Sequence, residues 1–112
     1  MSRAQERIRE RRRRAKAKYG ELFDLTAALF FRHDPIGISF ENPNIDEYAL
    51  ETENILPRLS RCKVLDDALQ VVHEEFVHSF DAETAGPPER YKQMASELWQ
   101  LWRAHMNKPK EL

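Results

Sequence analysis

The histidines of the segment "HEEFVH" invite a zinc-protease reading, because such enzymes use His-Glu-x-x-His with two histidines one helical turn apart. Here His73 and His78 are five residues apart, which places their side chains roughly 140° apart around a helix of about 3.6 residues per turn. They therefore cannot share a metal from a straight helix. Glu74 and His78 share one face, but two ligands do not make a zinc site. We expect an exposed pair here, and no metal or cofactor.

Nucleophilic catalysis has one candidate, the single cysteine Cys62. It lies between Arg61 and Lys63, whose positive charges can lower the pKa of a thiol. No histidine lies near it in sequence to act as its base. None of the three glycines builds a phosphate loop. We therefore predict no catalytic residues and a protein that is not an enzyme; one cysteine in a chain of this size also favours a reducing, cytoplasmic setting.

The run "RIRERRRRAKAK" can bind nucleic acid, because guanidinium and ammonium groups neutralise phosphates along a groove. It can equally be a solvated helix whose Glu6 and Glu10 pair with arginines one turn away, or a strap held against an acidic surface of its own chain or of a second copy. Aromatic residues that would stack on bases are absent before Tyr19. The candidate nucleic-acid-binding residues are Arg7, Arg11, Arg12, Arg13, Arg14, Lys16 and Lys18.

Residues 41–53 form the opposite kind of surface, because they include five acids and no lysine or arginine. Facing a basic partner, such an acidic face would speed encounter and set orientation. Plain solvation of a helix start is the alternative, since acids there also favour the helix dipole. The candidate partner-binding residues are Glu41, Asp46, Glu47, Glu51 and Glu53.

Charge is divided unequally along the 112 residues. Residues 1–18 hold nine bases and two acids, a net charge of +7, and the remainder holds nine bases and seventeen acids, a net charge of −8. We predict a basic helical arm over 1–18, one helical domain over 19–107 and a frayed tail over 108–112. The apolar segment "LFDLTAALFF" is interrupted by Asp24 and is too short to span a bilayer, so we expect no membrane association.

The first helix is predicted from about Gln5 to Phe31, with Gly20 as a weak point. It ends by Asp34, because Pro35 disfavours the α conformation of the residue before it. Its apolar stripe is Ala15, Tyr19, Leu22, Leu25 or Thr26, Leu29 and Phe30. Ile8 alone continues that stripe toward the N-terminus, so the first half of this helix is expected to project or fray.

Three further helices complete an all-α fold, a four-helix bundle or array. One starts at Asp46 as N-cap and runs to about Leu59, with a kink or early end near Asn54 to Leu56 caused by Pro57. The glycine and prolines of "TAGPPER" separate the last two helices, with Pro88 in the first turn of the final one. The predicted core positions are Tyr48, Ile55, Leu56 and Leu59; then Leu65, Leu69, Val72, Phe76 and Phe80; then Tyr91, Met94 or Ala95, Leu98, Leu101 or Trp102, and His105.

The segment "DPIGI", followed about ten residues later by "DEY" and an "ILPRL" helix, resembles the YugE-like family of small bacterial all-helical proteins of unknown function. The matching positions are Asp34, Pro35, Ile36, Gly37, Asp46, Glu47 and Tyr48. His33 stands where the family tends to have tryptophan, and the basic arm is not part of the pattern. Some proteins of this general kind resemble immunity partners of bacterial toxins. The resemblance implies a helical array and transfers no catalytic residue.

The interrupting segment, residues 33–48, has two interpretations. It is a structural strap if Pro35 and Gly37 turn the chain and the alternating Ile36, Ile38 and Phe40 pack against the helices; it is a recognition face if its outward side meets a partner. Our first hypothesis is a non-enzymatic interaction protein, most concretely an immunity-type inhibitor that binds a toxin through the acidic face. Binding of nucleic acid by the basic arm is the alternative.

Overall fold

The structure, a computed structural model, describes residues 2–38 and 45–108, and gives only the backbone of Ile45 and Asp46. The described residues contain no β-strand, so the predicted all-α class is confirmed. They form six α-helices: α1 (Arg3–Tyr19), α2 (Glu21–His33), α3 (Ala49–Leu59), α4 (Leu65–Phe80), α5 (Ala82–Ala85) and α6 (Lys92–Met106). Two 3₁₀ helices, Ile45–Tyr48 and Pro88–Tyr91, precede α3 and α6.

The helices pack as a small array around α2 and α4. Helix α2 contacts α1, α3, α6 and the first 3₁₀ helix, and α4 contacts α3, α5, α6 and the second 3₁₀ helix. The predicted count of four helices is not confirmed, because the first helix is divided and α5 is added. None of the helices in the described residues combines the length and the apolar character that a bilayer-spanning segment needs.

The first helix breaks at Gly20, where a continuous helix was predicted. Gly20 has φ 56° and ψ −130°, a conformation that costs glycine little and other residues much. The break lets Tyr19 and Leu22 both enter the core, while the chain changes direction between α1 and α2. Helix α1 begins with a capping box, in which the Ser2 hydroxyl accepts from the Gln5 N–H and the Gln5 side chain accepts from the Ser2 N–H.

Helix α3 differs from the prediction at both ends. Asp46 lies within the 3₁₀ helix, and α3 begins at Ala49. At the other end α3 continues through Pro57 to Leu59, so an early end near Asn54 to Leu56 is wrong, and the alternative of a kink there stays a prediction. Pro57 lies in the last turn of α3 and removes one backbone hydrogen bond there. Burial of Leu59, beyond the proline, offsets that loss.

The core is centred on aromatic side chains from four segments of the chain. Phe76 of α4 contacts Phe30 edge-on at 5.7 Å between ring centroids, Tyr48 at 5.8 Å and Tyr91 at 5.1 Å, distances typical of favourable ring pairs. The predicted stripe of α4 is confirmed at its centre, where Val72 and Phe76 are fully buried. Its first member, Leu65, is exposed, because α4 begins there.

Candidate functional site

The basic helix α1 presents most of its charge to solvent. Five of its bases recur every three or four residues, which places them within roughly 80° of arc along about 22 Å of helix. All five are exposed. We call this set the outer stripe, and it consists of Arg3, Arg7, Arg11, Arg14 and Lys18. Arg14 also pairs with Glu10 at 3.1 Å, an exposed ion pair on one helix that contributes little.

Two arginines of α1 also face the body of the protein. The Arg12 Nε–H donates to a carboxylate oxygen of Glu53 on α3. The adjacent Arg11 donates to Asn54 Oδ1 at 2.8 Å and lies 3.8 Å from the other Glu53 oxygen. The middle of α1 is thus held against the acidic surface of its own chain, one of the arrangements considered from sequence, while residues 3–9 are exposed.

The remaining predicted bases of α1 make only local contacts. Arg13 pairs with Glu10 on the same helix, and Arg7 is exposed. Lys16 lies over the Phe23 ring at 5.6 Å and Lys18 over the Tyr19 ring at 5.4 Å, both within the range of weak cation–π attraction.

Beneath Arg11 and Arg12 lies a layer of buried acids, which we call the acid layer: Glu51 and Glu53 of α3 and Glu75 of α4. They are only 4%, 5% and 6% exposed. The Asn54 amide donates to Glu75 Oε1 at 2.8 Å, and the Ser79 hydroxyl donates to the same oxygen at 3.3 Å. A chain of polar contacts therefore runs from Arg11 through Asn54 to Glu75.

The burial of Glu51 and Glu53 contradicts the exposed acidic face that the sequence predicted. Glu51 and Glu53 are not exposed, because α3 packs on α4 and α1 covers Glu53. Glu41 and the side chain of Asp46 lie outside the described residues. Glu47 is the remaining member, and it is partly exposed. Binding of a partner by these acids stays a prediction.

The pKa of Glu51 is unusually high for a glutamate. Burial raises the pKa of Glu51 from its usual value near 4.5 to about 7, and the negative charge of Glu75 adds to the increase. A hydrogen bond from Ser79 and the positive charge of Arg12 oppose it. The carboxyl therefore changes its charge near neutral pH, which follows from taking an ionisable group out of water beside a like charge.

A groove of about 370 Å³ opens beside Glu51. Acidic and polar side chains, Glu47, Glu51, Asn54, His78 and Ser79, line part of it, and Ile38, Leu50 and Phe80 supply apolar walls. Leu50 is 48% exposed there. The groove offers negative charge and apolar surface side by side.

The "DPIGI" and "DEY" residues meet in space and build a turn. Asp34 closes α2 in the left-handed conformation, with φ 47°, and its Oδ1 accepts from the Tyr48 hydroxyl at 2.6 Å and the Ile38 N–H at 3.0 Å. The Ile36 N–H donates to the Tyr48 oxygen at 3.3 Å. Burial and the bond to Asp34 raise the pKa of the Tyr48 phenol. These contacts support the structural interpretation of this part of the segment.

The rest of the segment is described only in part. Ile36 and Ile38 pack partly buried against the core, as the strap interpretation expects. Gly37 takes φ 78°, consistent with a turn residue. Phe40 lies outside the described residues, and so does the middle of the proposed strap.

His73, Glu74 and Cys62 all contact other residues of the fold. His73 Nε2 lies 2.9 Å from the carbonyl oxygen of Gly86, and Glu74 pairs with Arg58 at 2.5 Å. Within the part of the chain that the structure describes, no three His, Cys, Asp or Glu residues are placed to hold a metal ion. The pKa of the Cys62 thiol is raised, by burial and by Asp67, so the expected lowering by basic neighbours was wrong.

Glu75, Asn54 and Ser79 are the site residues that sequence reasoning missed. Glu75 and Ser79 are four apart on α4, and Glu51 and Asn54 are three apart on α3, so each pair shares a helix face. That signal was available from the sequence. Only the packing of α3 on α4 brings the two pairs together.

Comparisons with known proteins add no function. No protein-family model, no curated protein and no solved structure matches this sequence. The resemblance to the YugE-like family therefore stays a prediction, and the functional argument rests on the geometry of this chain.

Proposed function

We propose that the protein is a non-enzymatic interaction protein that binds nucleic acid through the outer stripe of α1. The observation that carries the proposal is the exposure of these five bases on one face of a capped helix. The acids predicted to bind a partner are, where described, largely buried. Of the two predicted binding surfaces, the basic one therefore leaves more charged side chains open to a partner.

The dimensions of the outer stripe suit a nucleic-acid backbone. Its length of about 22 Å is comparable to the distance spanned by several successive phosphates along a duplex groove. The major groove of a duplex admits one α-helix. Arginine also presents a planar fork that matches a phosphate bidentately. Because α1 lacks aromatic side chains before Tyr19, base stacking contributes little, so binding depends on phosphates and discriminates weakly between sequences.

The first test measures binding of labelled duplex DNA and RNA to the whole chain at about 50 mM salt, an ionic strength at which phosphate contacts are strong. The variant Arg7→Gln, Arg14→Gln, Lys18→Gln removes three charges of the outer stripe and is expected to weaken binding by roughly tenfold or more. Helicity should not change, because these side chains are exposed.

A matched variant controls for net charge. Arg61→Gln, Lys92→Gln, Arg103→Gln removes three exposed bases outside α1 and is expected to change affinity only slightly. Equal losses in the two triple variants would show that overall charge, and not the outer stripe, attracts nucleic acid. Absence of binding in the unaltered chain would remove the proposal.

A protein partner of immunity type is the second candidate, and the groove beside Glu51 favours it. Glu47 supplies accessible negative charge and Leu50 an exposed apolar contact, a combination that fits a cationic partner surface with an apolar anchor. Affinity capture from the native cell should then return one stoichiometric partner.

Glu47→Lys should abolish that capture, since the reversed charge repels a cationic surface, whereas Glu83→Lys on α5 should not. Glu83 is an exposed acid away from the groove. Capture that survives Glu47→Lys would defeat this candidate. Reversal of Glu51 is a poor test because its carboxyl is buried.

A further inference from the structure

The contact between α1 and α3 uses guanidinium groups that a polyanion would also use. Arg11 belongs to the outer stripe and at the same time donates to Asn54 Oδ1 at 2.8 Å. Arg12, one residue further on, is bonded to Glu53. A guanidinium group bonded to a carboxylate in a fixed geometry cannot offer the same N–H groups to a phosphate.

The acid under this contact is unusually well covered. The Glu53 side chain is 3% exposed and that of Arg12 is 28% exposed, so the ion pair is largely removed from water. A buried carboxylate is tolerated where a partner compensates its charge. Arg12 supplies that compensation, and α1 is thereby fixed to α3.

The joint between α1 and α2 permits α1 to move. Gly20 alone separates the two helices, and no atom outside its immediate chain neighbours lies within 4 Å of the place where a Cβ would stand. Glycine also has a wider range of backbone dihedrals than other residues, so the joint can bend. On α1, Tyr19 is the one buried residue and Ala15 is partly buried, so apolar packing holds only the end of the helix next to Gly20.

We propose that α1 is an autoinhibitory latch: the ion pair with Glu53 withholds Arg12 from nucleic acid, and a nucleic acid that engages Arg12 frees this part of α1 from α3. This inference rests on the proposed function, since it concerns regulation of the same basic surface. By linkage the coupling is reciprocal. Any change that loosens the contact with Glu53 must tighten binding of the polyanion, and polyanion binding must uncover Glu53.

Glu53→Gln tests the latch by removing the charge that holds Arg12. We expect the variant to bind duplex DNA roughly tenfold more tightly than the unaltered chain, with a salt dependence steeper by about one phosphate contact. Glu83→Gln, which removes an equal charge from an exposed position on α5, controls for net charge and should change affinity less than about twofold. Equal affinities for the two variants would overturn the latch.

A distance measurement separates the latch from the function on which it rests. Spin labels at Ala4→Cys and Gln93→Cys, both exposed positions, with Cys62→Ser, report the separation of α1 from α6. The distance distribution should broaden or shift when duplex DNA or inorganic polyphosphate is added, and in Glu53→Gln without any ligand. A distribution unchanged in Glu53→Gln overturns the latch. A shift in Glu53→Gln with no DNA or polyphosphate binding in any form supports the latch and refutes the proposed function.

Discussion

Glu51→Gln is expected to stabilise the protein by roughly 3 kcal/mol at pH 8 and by less than about 1 kcal/mol at pH 5. The pKa of Glu51 is raised to about 7 in the folded chain, so the folded state binds this proton more tightly than the unfolded state does. The protonated Glu51 carboxyl therefore makes its full contribution to the free energy of unfolding below about pH 4.5, and that contribution is lost as the pH rises through 7. Glutamine keeps the shape and cannot ionise.

Urea unfolding at the two pH values, followed by the fluorescence of Trp99 and Trp102, measures this effect. Glu83→Gln, at an exposed position, is the matched control, and its effect on the free energy of unfolding relative to the unaltered chain should be the same at pH 5 and pH 8. If Glu51→Gln stabilises the protein equally at both values, then the ionisation of Glu51 is not what destabilises the folded state, and the account of the acid layer is wrong.

Tyr48→Phe is expected to destabilise the fold by about 2 kcal/mol, because it removes a hydrogen bond to a carboxylate from a buried site. The Tyr48 hydroxyl donates to Asp34 at 2.6 Å and accepts from the Ile36 N–H at 3.3 Å. Without it, the Asp34 carboxylate loses a charge-assisted partner in the turn that ends α2. Chemical unfolding at neutral pH gives the free energy of unfolding directly.

Tyr91→Phe is the comparison for this second prediction. The Tyr91 hydroxyl donates to the Ala85 carbonyl oxygen at 2.6 Å, and both tyrosines are fully buried. Since this acceptor is neutral, the loss should be smaller, about 1 kcal/mol. An effect of Tyr48→Phe no larger than that of Tyr91→Phe would mean that the bond to Asp34 does not hold the turn.

Elements decided by local pattern were predictable from the sequence. The apolar stripe of α4, centred on Val72 and Phe76, repeats at helical spacing, and both residues are fully buried. The glycine and prolines before α6 mark the interruption between α4 and α6 for equally local reasons, but Pro88 begins the second 3₁₀ helix and not, as predicted, the first turn of α6, which starts at Lys92. The break at Gly20 was less predictable, because one glycine destabilises a helix by only about 1 kcal/mol. The helix breaks there because Tyr19 and Leu22, on either side of Gly20, are both buried in the core.

The acid layer could not be predicted, because its cause lies in distant contacts. Glu53 is followed 22 residues later by Glu75 and preceded 41 residues earlier by Arg12, and nothing local signals that the three regions meet. Acids on a short helix are normally solvated, which is why Glu51 and Glu53 were assigned to an exposed face. The contacts of Arg11 and Arg12 with α3 have the same origin.

The salt dependence of duplex DNA binding tests the central claim, that the outer stripe of α1 neutralises phosphates. With five contacts, the slope of log K against log salt is expected near −4.5, or roughly a 500-fold loss of affinity between about 50 and 200 mM salt. In Arg7→Gln, Arg14→Gln, Lys18→Gln the slope should fall to about −2. A slope that stays the same in this variant, or no measurable binding by the unaltered chain at low salt, would contradict the claim.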